Sequence, residues 1–225
     1  VTWQAPRTVL PYNSMKPTAS TATPILFEPP AALTEGRHEI WLAAGGPDGW
    51  GGCHVWVSLD DQSYDTVGQI IRGSTVGALE APLPVIDGAL HVDVTATRGI
   101  IHPGSEANAD LLLTLCWVGG ELVAHTDATL VGPGRYRMGG ALRRGVLGTH
   151  AIEHPIGTPF ARLGQATFRR PYPAHWVGAT IHVKLPAFNE FQLLPQGLDE
   201  VPAHSLLLTG ISADRPAREL EPRKA

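Results

Sequence analysis

The strongest constraint on this chain is its punctuation. It holds 25 glycines and 20 prolines among 225 residues, and they recur too often for a long helix to run between them. Proline removes a backbone donor and clashes with the preceding helical turn, and glycine loses the most conformational entropy when fixed in a helix. Between these breakers the pattern is alternation. In residues 53–59, Cys53, Val55, Val57 and Leu59 fall on one side and His54, Trp56 and Ser58 on the other, which is the period of a strand with one buried face. The predicted fold is therefore mainly β with little helix: an antiparallel β-sandwich module plus a second β-rich, barrel-like domain.

Four stretches follow from the composition along the chain. Residues 1–34 are rich in Pro and Thr and read as an extended N-terminal segment, with Trp3 as an anchor and residues 24–28 apolar enough to join a sheet. Residues 35–97 form the sandwich module, with strands at 38–44, 53–59, 66–71, 75–79 and 89–95. Residues 98–210 form the second β-rich domain. It opens on a connector at 99–110, where Asn108-Ala109-Asp110 can cap a short helical turn. It then gives the clearest hairpin, residues 111–118 and 121–127 around Gly119-Gly120, a pair suited to a primed turn. Further strands are expected at 135–138, 165–170, 180–185 and 205–209. Residues 211–225 read as a polar linker or tail. The chain begins at Val1 rather than Met and is expected to be a piece of a longer polypeptide or one whose start was trimmed.

Charge excludes some functions. The formal net charge is −4, against the dense basic face that a general nucleic-acid binder needs. No apolar run reaches membrane-spanning length, so neither nucleic acid nor membrane insertion is expected. Cys53 and Cys116 each sit in an apolar run and read as small buried hydrophobes, with pairing between them left open. No cofactor and no metal are expected.

The motif that stands out is Leu142-Arg143-Arg144-Gly145 to Gly148-Thr149, followed by His154, Gly157 and Phe160. It is not a phosphate loop, which needs four residues between its glycines and then Lys and Ser/Thr opening a helix. Pro155 and Pro159 bar such a helix here. The glycines instead allow positive φ where the chain reverses, and Arg143 or Arg144 can satisfy several carbonyls with one guanidinium. Arg143, Arg144, Gly145, Gly148 and Thr149 are accordingly expected to form a structural turn.

Catalytic constellations are sparse. His150 and His154 have zincin spacing, but Ala151 stands where the zincin glutamate belongs. Asp60-Asp61 and Asp199-Glu200 are loop pairs without identifiable partners. Gly104-Ser105-Glu106 is a loop serine outside any nucleophile elbow. His54, His91 and His182 sit in alternating strands as surface or interface residues. The chain is expected not to be an enzyme. A contrasting reading is a carbohydrate-binding sandwich, with Trp50 on its Gly-rich loop and Trp56 nearby as contacts to a host-surface glycan.

Several pieces together resemble the tail hub and tip attachment proteins of long-tailed phages and gene transfer agents. These are residues 25–30, the run from His54 to Asp60 with Ser63-Tyr64 and Val67-Gly68, the hairpin at 115–124, the Arg-Arg-Gly turn with His154 and Phe160, and Phe188-Asn189. The resemblance spans roughly residues 25–210. It implies a virion structural protein of the tail tip or baseplate hub, made in the bacterial cytoplasm and acting through protein–protein assembly and host attachment. It further implies other tail proteins as partners and a homotrimer in the assembled particle.

Overall fold

The computed structural model describes residues 18–86, 88–189 and 195–213. Trp3 and the tail beyond residue 213 lie outside them. Strands in chain order are β1 Ile25–Phe27, β2 Glu39–Ala43, β3 Gly52–Ser58, β4 Asp65–Ile70 and β5 Val76–Leu79. They continue as β6 Leu90–Asp93, β7 Leu115–Val118, β8 Glu121–Ala124, β9 Thr129–Gly132 and β10 Arg135–Met138. The last are β11 Pro159–Arg162, β12 Phe168–Pro171, β13 Thr180–Lys184, β14 Ala187–Phe188 and β15 Ala203–Leu207. Among the described residues, two short α-helices, α1 Ala31–Thr34 and α2 Glu106–Asp110, accompany them. The protein is mainly β, as its sequence predicts.

The strands form three antiparallel sheets. One runs β1-β2-β12, a second β8-β7-β11-β5-β6-β10-β9, and a third β14-β3-β13-β15 with β4 on the outer side of β3. The three-stranded sheet is the middle layer, and β2 shows why. All five of its residues are buried. Ile40 and Leu42 pack into the core of the five-stranded sheet with Val55, Ile181 and Val183. Trp41 and Ala43 point the other way, to Phe27, Val76, Leu122 and Ala161. The second face of the seven-stranded sheet buries Leu90, Val92, Cys116, Met138 and Phe160 beneath Leu83 and Ile101. Sheets with apolar residues on both faces must be covered on both, and stacked layers are the result.

Pairing crosses the boundary expected at residue 97. Within residues 35–97, β2 pairs β12, β3 pairs β13, and β5 and β6 join β11 and β10. Alternation shows which face of a strand is buried but carries no information on its neighbour. The long-range partners are set by which apolar faces match in the packed core. The barrel-like expectation also changes: the seven-stranded sheet is open, ending at β8 and β9.

Local features match more closely. Gly119 and Gly120 both have positive φ (52° and 101°) in the turn between β7 and β8, the combination that a primed turn requires. Residues 111–114, expected as strand, instead form a turn after α2. That helix is capped by Ser105, whose Oγ accepts from the Asn108 N–H at 3.2 Å, so the cap lies three residues earlier than expected. Cys53 and Cys116 are free and buried. Burial pushes each thiol up to about 12, which suits inert core residues.

Candidate functional site

The hairpin turn places Glu121 at the start of β8, an edge strand of the seven-stranded sheet. An edge leaves backbone donors and acceptors unpaired and must be covered or blunted. The Arg-Arg-Gly turn is the cover. The Ala124 N–H donates to the Arg143 carbonyl at 2.9 Å, and the Arg143 N–H donates to the Ala124 carbonyl at 2.8 Å. Further along, the Leu122 N–H donates to Thr149 Oγ1 at 3.0 Å, and that hydroxyl donates to the Val146 carbonyl at 2.9 Å. Gly145 (φ 60°) and Gly148 (φ 82°) take the left-handed conformations that fold the turn back onto the strand. Leu147 adopts φ 57° between them, a conformation uncommon outside glycine.

Arg144 reaches under this cover to Glu121. Its Nε and Nη2 donate to the two carboxylate oxygens at 2.6 and 2.8 Å, a bidentate pair. The Gly145 N–H adds a bond to Oε1 at 2.9 Å, and His154 Nε2 lies 2.9 Å from Oε2, so that nitrogen carries the proton. The Glu121 side chain is fully buried, and those of Arg144 and His154 are nearly so. Burial pushes the Glu121 carboxyl up, but the donors from Arg144, His154 and Gly145 outweigh it and hold the group below the usual carboxylate range. Arg144 also donates Nη1 to the Pro84 carbonyl and Nη2 to the Ile152 carbonyl, both at 2.7 Å. The backbones of Leu83 and His154 pair with each other beside it, at 2.8 and 3.0 Å. One guanidinium therefore ties the hairpin, the turn and two loops together.

This arrangement acts as a clamp: the carboxylate is saturated with donors and sealed from solvent. Arg143 differs from its neighbour: its Nε donates to Asp110 at 2.7 Å on the exposed surface. A surface pair of this kind contributes little to stability.

The other sequence candidates have structural roles. His150 is exposed and His154 buried, on a segment with no helix, so the zincin spacing does not place them on one helical face. Among the described residues, no group of His, Cys, Asp and Glu is arranged to hold a metal ion. Asp60 Oδ1 accepts from the Gln62 and Ser63 N–H groups and from Ser58 Oγ. These bonds, led by Ser63, bring its carboxyl down to about 2; the residue builds its turn. Ser205 Oγ lies 2.9 Å from His182 Nδ1, and Asp61 Oδ1 lies 4.0 Å from the same nitrogen. A catalytic relay needs the hydroxyl and the carboxylate on opposite ring nitrogens, so this trio is not one.

Trp50 is half-buried on its Gly-rich loop: its indole N–H donates to Thr21 Oγ1 at 3.1 Å, and its ring packs over Gly46 and Gly73. The loop is glycine-rich because a Cβ on Gly46 would lie 2.4 Å from the Trp50 ring. Trp56 lies on the opposite face of β3 from Val55 and Val57, in register with Lys184 and Thr66. Neither tryptophan lines the cleft bounded by β1, β5 and β15.

Sequence reasoning missed Glu121 as the centre of the clamp. Its only signal is a charged residue where a strand's apolar pattern begins, next to a turn that carries arginines.

The class defined by this geometry is a layered antiparallel β protein with one sheet edge sealed by an arginine-bearing turn. Residues 71–161 match the family described as Rcc01698-like, C-terminal. The matched stretch is almost coextensive with the seven-stranded sheet, β5 to β11, and contains both the hairpin and the turn of the clamp. No curated protein matches the chain.

Proposed function

We propose that this chain is a structural, non-enzymatic component of a phage-like tail tip or baseplate hub, acting through protein–protein contact. The observation that carries the reading is the outer surface of the clamp. The two loops whose carbonyls Arg144 holds expose apolar side chains: Val85 (48%), Ile86 (74%), Ile152 (49%) and Ile156 (64%). A buried ion pair that immobilises two loops bearing exposed isoleucines suits a preformed contact surface, since little ordering remains to be done on binding. The resemblance of the hairpin and turn to tail hub proteins supports the same reading. In that setting the partners are other tail proteins, the assembled form is a homotrimer, and the location is the tail tip of the virion.

The test is association. Sedimentation of the chain across concentration is expected to show reversible self-association. An Ile86→Ser/Ile152→Ser variant is expected to remain monomeric while melting like the parent, because exposed substitutions usually change stability by under about 0.5 kcal/mol. A double variant that associates as the parent does would remove this surface from the proposal. Turnover of a small substrate that vanishes on replacing His154, with the fold intact, would overturn its non-catalytic part.

A further inference from the structure

A roomy cleft lies where the three sheets meet. It encloses about 850 Å3, bounded by Ile25 and Leu26 of β1, Val76 to Ala78 of β5, and Ala203 to Ser205 of β15. This volume is in the range of small-ligand sites, about 300–1,000 Å3. Most of the lining is short-chained, which leaves the space open. Trp117 supplies an aromatic wall, backed by Phe27 with ring centroids 5.3 Å apart.

Three polar side chains at this cleft have no hydrogen-bond partner among the described residues: the Thr23 hydroxyl, the Trp117 indole N–H and the His204 imidazole. Trp41 donates to Glu39 at 3.0 Å and Trp50 to Thr21 at 3.1 Å, whereas the Trp117 indole N–H, like those of Trp56 and Trp176, has no protein partner among the described residues. His204 is half-buried, and burial lowers its pKa, which keeps the ring neutral and able both to donate and to accept.

The charge around the cleft narrows the ligand. No lysine or arginine is among the lining residues. Its one carboxylate, Asp93, already accepts from the Thr95 N–H and hydroxyl at 2.8 and 2.6 Å and faces Arg135 at 3.5 Å. An anion would find no cation, and a cation would find a carboxylate already engaged. We infer that this cleft binds a neutral saccharide, with a sugar ring against Trp117 and its hydroxyls bonded by Thr23 and His204. Aromatic stacking serves the apolar face of a pyranose, and unpartnered neutral donors and acceptors serve its rim.

Titration calorimetry of the full chain with neutral oligosaccharides of glucose, mannose and galactose tests this, alongside an anionic oligogalacturonate. The expected result is saturable binding of at least one neutral sugar, with a change in tryptophan fluorescence and weaker binding of the anionic sugar. His204→Ala and Trp117→Phe are each expected to weaken binding about tenfold, the equivalent of one lost hydrogen bond. Thermal melts confirm that these variants are folded. Ile86→Ser/Ile152→Ser is expected to leave binding unchanged, which separates this inference from the assembly reading. Absence of saturable binding by every neutral sugar, preference for the anionic one, or binding untouched by both cleft variants would overturn it.

Discussion

At the scale of single residues, the protein places its most costly groups where they hold backbone. Glu121 and Arg144 are removed from water together, and a buried pair is stable only when its remaining donors and acceptors are also used. Here they are: the second half of the guanidinium takes two carbonyls and the carboxylate takes His154 and Gly145. Removing one partner leaves a buried charge, so Glu121→Gln should cost about 3–5 kcal/mol. A second buried group titrates in a different window. His125 is fully buried, Nδ1 bonds the Asp127 carbonyl at 3.0 Å, and Nε2 has no partner. Burial lowers its pKa, with the Arg162 charge adding to the effect. As pH falls below about 6.5, the unfolded chain takes up a proton that the folded one resists, so stability falls by up to about 1.4 kcal/mol per pH unit. For Glu121 the folded pKa is lowered, so its contribution is complete above the unfolded value, about 4.3, and disappears as pH falls through the folded one. Melts against pH should show both acid limbs, with the upper one flattened in His125→Asn. An unchanged upper limb in that variant would rule out His125 as its source.

At the scale of elements, the Arg-Arg-Gly turn acts as an edge strip. The two ends of the seven-stranded sheet are treated differently. β8 is buried throughout, while Thr129, Leu130 and Val131 of β9 are exposed. The glycines of the turn are not equivalent. A Cβ on Gly145 would sit 2.9 Å from the Thr149 carbonyl oxygen, in addition to a φ of 60°, whereas Gly148 has a φ of 82° and open space around it. Both Val variants should lose about 1–3 kcal/mol through backbone strain. Gly145→Val should lose more, because it also displaces Thr149 from the Leu122 N–H. Thermal melts giving the reverse order would contradict this account of the turn. The Trp50 loop follows the opposite rule: glycines there make room for a ring that fastens the loop to Thr21.

For the whole molecule, stability should grade from the middle layer outward. β2 is hydrogen-bonded on both edges, to β1 and β12, and packed on both faces. Arg169 of β12 lies 4.1 Å from the Trp41 ring centroid and closes the layer from the side, a contact that contributes about 0.5–2 kcal/mol. Glu28 then joins the start of the described chain to its end. It accepts from the Thr209 N–H and hydroxyl, both at 2.6 Å, and from the Gly210 N–H at 3.1 Å. Hydrogen exchange measured by strand should find β2 amides the slowest, opening only with global unfolding, and β4 and β9 among the fastest. Fast exchange in β2 would mean that the three layers do not unfold as one unit.

The sequence by itself determined the strands and turns that depend on neighbouring residues. Alternation located β3, β6 and β10 and, on β3, the buried face of Cys53, Val55 and Val57, although Leu59 lies beyond the strand and is exposed; Gly119-Gly120 located the hairpin, and glycines beside a multi-donor side chain drew attention to the arginine turn. β11 escaped notice because it begins at Pro159, and β9 because its exposed residues lack a one-sided pattern. Tertiary structure alone decided the partners: that β3 lies beside β13, that β5 joins β11, and that Arg144 meets Glu121 and His154. The physical reason is range. Local backbone preference and alternation act over a few residues, whereas pairing and ion-pair burial are settled by the mutual fit of faces that come together only in the packed core.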